Sequence, residues 1–147
     1  MALFSGTFDH TIDEKGRLII PRKLREAIDE EKEGAGFYVT KGLDDCIFMF
    51  TPHQWEIVGN QLRQKTPMSS ANARHFHRIF FKNAEKVALD KQGRILLPER
   101  LRRLTGVVRD VVVLGVDDRI EIWDTAKHKQ YEEQYGSMYD SLAEGAF

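Results

Sequence analysis

The chain has 147 residues, 41% of them hydrophobic, and its 22 Lys and Arg against 23 Asp and Glu leave a formal net charge of −1. That length suits one domain, or two interlocked halves of about 70 residues that are each marginal for a core of their own. The near-neutral balance excludes a polycation, so any affinity for nucleic acid has to come from local patches. Cys46 is the single cysteine, which excludes an intramolecular disulfide and a cysteine-based zinc site; its expected place is the core. The first residues lack a basic region followed by an apolar stretch, and no apolar run approaches the roughly 20 residues that span a bilayer. The expectation is a cytoplasmic protein with no membrane contact.

In chain order, residues 3–12 carry Phe4, Thr7, Phe8, Thr11 and Ile12 around a break at Gly6, a strand expected to pair across a loop with residues 18–20. The loop is Asp13-Glu14-Lys15-Gly16-Arg17. Asp suits the first position of a type I turn and Gly the left-handed position that closes it. Leu18, Ile19 and Ile20 follow, then Pro21, which opens a short helix with Leu24, Ala27 and Ile28 inward and Arg22, Lys23 and Arg25 outward. The acidic stretch 29–33 and Gly34 are expected to end it. The whole phrase returns as Asp90-Lys91-Gln92-Gly93-Arg94-Ile95-Leu96-Leu97-Pro98, offset by 90 − 13 = 77 positions. Both copies are locally basic. Residues 13–25 hold Lys15, Arg17, Arg22, Lys23 and Arg25 against Asp13 and Glu14, and residues 86–103 hold six basic side chains against Asp90 and Glu99.

Residues 37–40 and 46–50 read as a second hairpin, echoed by 111–114 and 120–123 at an offset of 117 − 44 = 73. About four residues are therefore missing from the second connector. Thr51, Pro52 and Gln54 form a helix-start signature ahead of Trp55, Val58 and Leu62, and Pro67 marks that helix's end. Ser69 or Ser70 caps a joining helix with Ala73, Phe76, Ile79 and Phe80 on one face and Arg74, His77 and Arg78 away from it. Asp124 caps a final helix striped by Tyr131, Tyr135, Met138, Tyr139 and Leu142, a stripe suited to the chain's own sheet or a neighbouring subunit. His75 and His77 diverge on a helix and make a poor metal site. Asp44, Asp45, Asp117 and Asp118 read as turn formers, without the base or nucleophile a catalytic carboxylate pair needs.

Two copies of Asp-x-x-Gly-Arg, apolar residues and Pro, each followed by a short basic helix, resemble the MraZ family over essentially the whole chain. The resemblance implies a bacterial transcription regulator of the division and cell-wall gene cluster, associated with the nucleoid. It also implies an α+β fold of two pseudo-symmetric AbrB-like swapped-hairpin β-barrel halves with flanking helices, in a ring-like homo-oligomer. The halves are expected at residues 1–66 and 83–147, joined by a helix at 67–82. The implied partner is double-stranded DNA carrying promoter direct repeats, with no cofactor and no enzymatic activity. The candidate DNA-contacting residues are Lys15, Gly16, Arg17, Arg22, Lys23, Lys91, Gly93, Arg94 and Arg100, with Asp13 and Asp90 holding the turns. An ion pair of each loop arginine with its Asp is compatible with that role, because it would preorganise the guanidinium. Gln92 in place of Lys15 and Glu99 in place of Arg22 make the two copies unequal. Two rivals are a metal-dependent hydrolase using the paired aspartates and an oligomeric scaffold that binds protein.

Overall fold

The computed structural model of the chain describes residues 2–147. In order they form β1 (Phe4–Thr11), β2 (Arg17–Ile19), α1 (Arg22–Glu26), α2 (Glu30–Glu33), β3 (Phe37–Lys41), β4 (Ile47–Phe50), α3 (Pro52–Lys65) and α4 (Ala71–Lys82). Then come β5 (Glu85–Val87), β6 (Arg94–Leu96), α5 (Glu99–Thr105), β7 (Asp110–Asp117), β8 (Arg119–Asp124), α6 (Thr125–Tyr135), a 3₁₀ turn at Gly136–Met138 and α7 (Tyr139–Leu142). This is a mixed α+β chain whose strand pairs are all antiparallel.

Six strands lie in the order β1-β7-β8-β4-β3-β5, and β2 pairs with β6 in a separate ribbon. Both arrangements are palindromes of the duplication. β1 corresponds to β5, β3 to β7 and β4 to β8, so a pseudo-twofold passes between β4 and β8 and another part of it through the ribbon. Period-two alternation sends Val39, Ile47, Met49, Val113, Ile120 and Ile122 to one side of the sheet, where each is fully buried. The same cluster takes Leu18, Ile20, Leu24, Ile95, Leu97 and Leu101 from the two copies of the repeated phrase. One core thus draws on both halves.

The hairpins β3–β4 and β7–β8 form as the sequence suggests, but the pairing of residues 3–12 with 18–20 does not. β1 instead runs the full length of β7, from Phe4 opposite Asp117 to Thr11 opposite Asp110. The reason is extent and alternation. Eight residues of β1 find eight in the other half's hairpin, whereas β2 is short and buries Leu18 by lying against its own repeat, Leu18 opposite Ile95. Each half therefore lends its first strand to the other.

The missing residues are also placed differently from expectation. Phe37 faces Val87 as Val111 faces His10, so Phe37 and Val111 are equivalent at 111 − 37 = 74, while Ile47 and Ile120 are equivalent at 120 − 47 = 73. Three of the four residues are lost before β7 and one at the hairpin turn. The extra length in the first half is the acidic stretch, which builds α2 rather than only ending α1. Asp29 caps it by accepting from the Glu31 amide at 3.1 Å, and the buried Glu33 carboxylate accepts from the Thr51 hydroxyl at 2.9 Å. Thr51 and Gln54 form the expected capping box of α3, Ser70 caps α4 and Asp124 caps α6.

Helices cover the sheet's outer face. Trp55 of α3 stacks on Tyr38 at 5.1 Å and on Phe80 of α4 at 5.5 Å, and the Thr40 hydroxyl donates to the Phe80 carbonyl at 2.6 Å. His77 is not turned away as its spacing suggests; it is half-buried against Phe81 and hydrogen-bonded to Thr66. The last helix is broken at Gly136, where α6 passes into the 3₁₀ turn; of its stripe Tyr131 reaches the sheet, 5.1 Å from Trp123, and Tyr135 packs on Tyr131 at 5.0 Å. Cys46 is fully buried. Among the described residues no helix is long and apolar enough to cross a membrane.

Candidate nucleic-acid interface

The two loops close in the same way. Asp13 Oδ1 accepts from the main-chain amides of Lys15 (3.0 Å) and Arg17 (2.8 Å), and Asp90 Oδ1 from those of Gln92 and Arg94 (2.9 Å each). The second carboxylate oxygen takes the arginine Nε, at 2.7 Å in the first loop and 2.8 Å in the second. A carboxylate ringed by donors is stabilised in its charged form. The Asp13 and Asp90 carboxyls are accordingly held below the usual carboxylate value, chiefly by the Arg17 and Arg94 amides, with partial desolvation opposing and the guanidinium and the Lys15 or Gln92 amide adding to the depression.

Anchoring through Nε fixes each guanidinium and leaves its two terminal nitrogens out of the aspartate bond, the side chains of Arg17 and Arg94 being 32% and 23% exposed. The terminal nitrogens of Arg17 make no hydrogen bond to the described residues, and Arg94 Nη2 meets only Gln92 Oε1 at 3.4 Å. Such a fork suits a phosphate or the O6 and N7 edge of guanine.

The β2–β6 ribbon brings the loops together. Arg17 faces Leu96, Leu18 faces Ile95 and Ile19 faces Arg94. Directly opposed residues share a face, so Leu18 and Ile95 point into the core while Arg17, Ile19, Arg94 and Leu96 point out. The arginines occupy diagonal corners, about 7–8 Å apart by ordinary strand geometry. Ile19 and Leu96, 45% and 59% exposed, lie between them. These two apolar residues were not among the candidates, although the burial of Leu18 and Ile20 by alternation already turned Ile19 outward. A two-stranded ribbon fits the major groove of B-form DNA.

The other candidates flank this ribbon. Lys15 and Lys91 are exposed at the loop tips, whereas Gly16 and Gly93 are buried with φ of 84° and 78° and shape the turns. Arg22, Lys23 and Arg100 are exposed on the first turns of α1 and α5. Arg22 pairs with Glu26 at 2.9 Å, an exposed contact. Arg25, expected outward, is half-buried, with its Nε on the Ile20 carbonyl at 2.9 Å; its counterpart Arg102 reaches the Leu97 carbonyl at 3.2 Å. Both lie under the loops.

The paired aspartates do not converge. Asp44, Asp45 and Asp117 sit at φ of 60°, a turn conformation, Asp45 faces Lys127 at 3.8 Å, and Asp118 pairs with Arg119 at 3.2 Å. Among the described residues no cluster of His, Cys, Asp or Glu is arranged to hold a metal ion.

The family model for the MraZ protein matches residues 3–79 and again residues 80–144. The chain is 44% identical over 142 residues to a protein of Syntrophomonas wolfei named transcriptional regulator MraZ, covering 97% of this chain and 95% of the relative. A protein of the same name from Symbiobacterium thermophilum is 48% identical over 139 residues, 95% of this chain and 96% of the relative. One from Natranaerobius thermophilus is 40% identical over 142 residues, again with 97% and 95% covered.

Proposed function

The chain belongs to the MraZ family, and from that premise we propose that it is a sequence-specific DNA-binding transcription regulator that reads DNA with the outer face of the β2–β6 ribbon. The carrying observation is the pair of arginines on that face, each anchored by Nε to a loop aspartate, with its terminal nitrogens left out of that bond and its side chain partly exposed. Arg17 and Arg94 contact base edges or phosphate. Lys15, Lys91, Arg22, Lys23 and Arg100 contact phosphate around them, and Gly16 and Gly93 with Asp13 and Asp90 set the loop shape.

In the same reading the swapped halves close as AbrB-like barrels at residues 1–66 and 83–147, joined at 67–82. Several chains assemble into a ring on direct repeats in the promoter of the division and cell-wall gene cluster, at the nucleoid. The net charge of −1 argues for such assembly, since one chain has few cations to spend on phosphate. Joining sites in one assembly raises apparent affinity by roughly 10² to 10⁴ when the geometry allows simultaneous contact.

The test is fluorescence anisotropy with a duplex from upstream of the protein's own coding region, against a scrambled duplex, over a series of salt concentrations. Preference for the upstream duplex, lost in Arg17→Ala and Arg94→Ala while the assembly stays intact, is the expected result. A good bidentate base contact is worth about 1–3 kcal/mol per engaged subunit. Equal binding of both duplexes, or unchanged affinity in both variants, overturns the reading.

A further inference from the structure

Each loop glycine is covered by an arginine from the other half. A Cβ placed on Gly93 would stand 2.6 Å from Cζ and 2.8 Å from Nε of Arg25, and one placed on Gly16 would stand 3.0 Å from Nη2 of Arg102. Arg25 follows the first loop in sequence, yet its guanidinium lies across the second, and Arg102 does the reverse. The same two places are tied through the main chain. The Ile20 amide donates to the Gly93 carbonyl and the Leu97 amide to the Gly16 carbonyl, both at 2.9 Å. Ile20 is therefore a node: its amide holds Gly93, and its carbonyl holds the Arg25 guanidinium that lies on Gly93.

We propose that Arg25 and Arg102 are positioning residues, each fixing the loop of the opposite half, so that a reading unit consists of the loop of one half and the helix of the other. Arg94 works with α1, and Arg17 works with α5. The pairing redistributes the inequality between the copies, because the loop that has Gln92 stands against the helix that has Arg22, and the loop that has Lys15 against the helix that has Glu99. A push on α1 from a phosphate at Arg22 or Lys23 is felt by Arg94 rather than by Arg17. The need for a planar guanidinium is geometric: its Nε takes the carbonyl while its flat face lies on the glycine, which the single tetrahedral head of a lysine does not reproduce.

The composite unit rests on the DNA-binding reading, but the positioning itself is tested without DNA. Amide hydrogen exchange of the full chain, resolved to residues 13–17 and 90–94, is compared among wild type, Arg25→Ala, Arg25→Lys and Arg102→Ala. Loss of one charge-assisted hydrogen bond is expected to speed exchange about tenfold in the loop it supports. Arg25→Ala should act on residues 90–94 and spare 13–17, and Arg102→Ala the reverse. Arg25→Lys should behave as the alanine variant does. Acceleration in the variant's own loop, in both loops, throughout the core or in neither overturns the proposal, as does wild-type exchange in Arg25→Lys. A second arm uses DNA: Arg25→Ala should add little to the loss from Arg94→Ala and should add fully to that from Arg17→Ala. Additivity with both overturns the composite unit. If the wild type binds no DNA, the proposed function fails while the exchange arm still decides the positioning.

Discussion

Phe48 and Glu121 face each other at the centre of the sheet, where β4 meets β8, and they hold equivalent places in the two halves. The axis thus carries an aromatic ring on one side and a carboxylate on the other. Arg119 joins them: its guanidinium lies 4.8 Å above the Phe48 ring and donates to Glu121 Oε2 at 2.8 Å, while the Trp123 indole donates to Oε1 at 2.9 Å. Glu121→Ala would leave a buried indole N–H without an acceptor and strip Arg119 of its stronger partner. The expected loss is about 1–3 kcal/mol for Glu121→Ala and a similar loss for Arg119→Ala, with the double variant costing less than the sum. Urea denaturation of the four proteins checks this, and strict additivity would refute the coupling.

Asp13 and Asp90 give a pH dependence with a definite sign. Both carboxyls are depressed below their ordinary value of 3.8 in the folded chain. A lowered folded pKa means that the contribution is fully present above the unfolded value and is lost as pH falls through the folded one. Loop order should therefore be flat from neutral pH to about 5 and decline only below the ordinary carboxylate range. Carboxyl-carbon NMR titrations should show midpoints below 3.8 for both residues. In Asp13→Asn the first loop should loosen at all pH values, and a midpoint at or above 3.8 in either wild-type loop would contradict the hydrogen-bonding account.

Gly16 and Gly93 share a left-handed conformation but not the same space. Alanine at either position meets backbone strain of about 1–2 kcal/mol. At Gly93 it also meets the central carbon of the Arg25 guanidinium at 2.6 Å and its Nε at 2.8 Å, whereas at Gly16 the nearest atom is a terminal nitrogen of Arg102 at 3.0 Å. Gly93→Ala should thus lower the melting temperature more than Gly16→Ala. Adding Arg25→Ala should recover part of the difference, and adding Arg102→Ala should not. Equal losses for the two glycines would show that the helix arginines yield freely.

The local structure was largely written in the sequence, and the exchange between halves was not. Thr51 with Gln54, Ser70 and Asp124 cap helices by satisfying main-chain amides within a few residues, so their signal is local. The loop aspartates act over four residues for the same reason. Alternation says that Leu18 and Ile20 are buried but not which ladder buries them. Leu18 could meet β1 or Ile95 with equal apolar logic, and because the two copies read alike, own half and other half are indistinguishable in the pattern. Arg25 illustrates the same limit. Its place on α1 is local, while the glycine beneath it belongs to a loop 77 − 9 = 68 residues further on, at Gly93. Gly136 carried a visible signal, being the one glycine inside the C-terminal stripe, and there the apolar spacing outweighed it.

Each ribbon sets the backbone positions of its two arginines at diagonal corners, about 7–8 Å apart, enough for a short stretch of one groove and no more. Nonspecific attraction by a handful of cations typically gives a dissociation constant of about 10⁻⁴ to 10⁻⁶ M at physiological salt, too weak for regulation by a single contact. A second ribbon held in the same assembly converts the next contact into an intramolecular one, but only if its repeat lies on the same face of the duplex. Two repeats spaced by a whole turn, about 10–10.5 base pairs, meet that condition. Inserting about five base pairs turns the second repeat to the far side, where a rigid assembly cannot reach it. Affinity and its salt dependence should be measured on one repeat, on two in phase and on two shifted by half a turn. The shifted pair should fall to the level of the single repeat, with the shallower salt slope of fewer phosphate contacts. If all three probes bind alike, the chains act singly and the multivalent mechanism is wrong, whereas contact of the ribbon with DNA is decided separately by Arg17→Ala and Arg94→Ala.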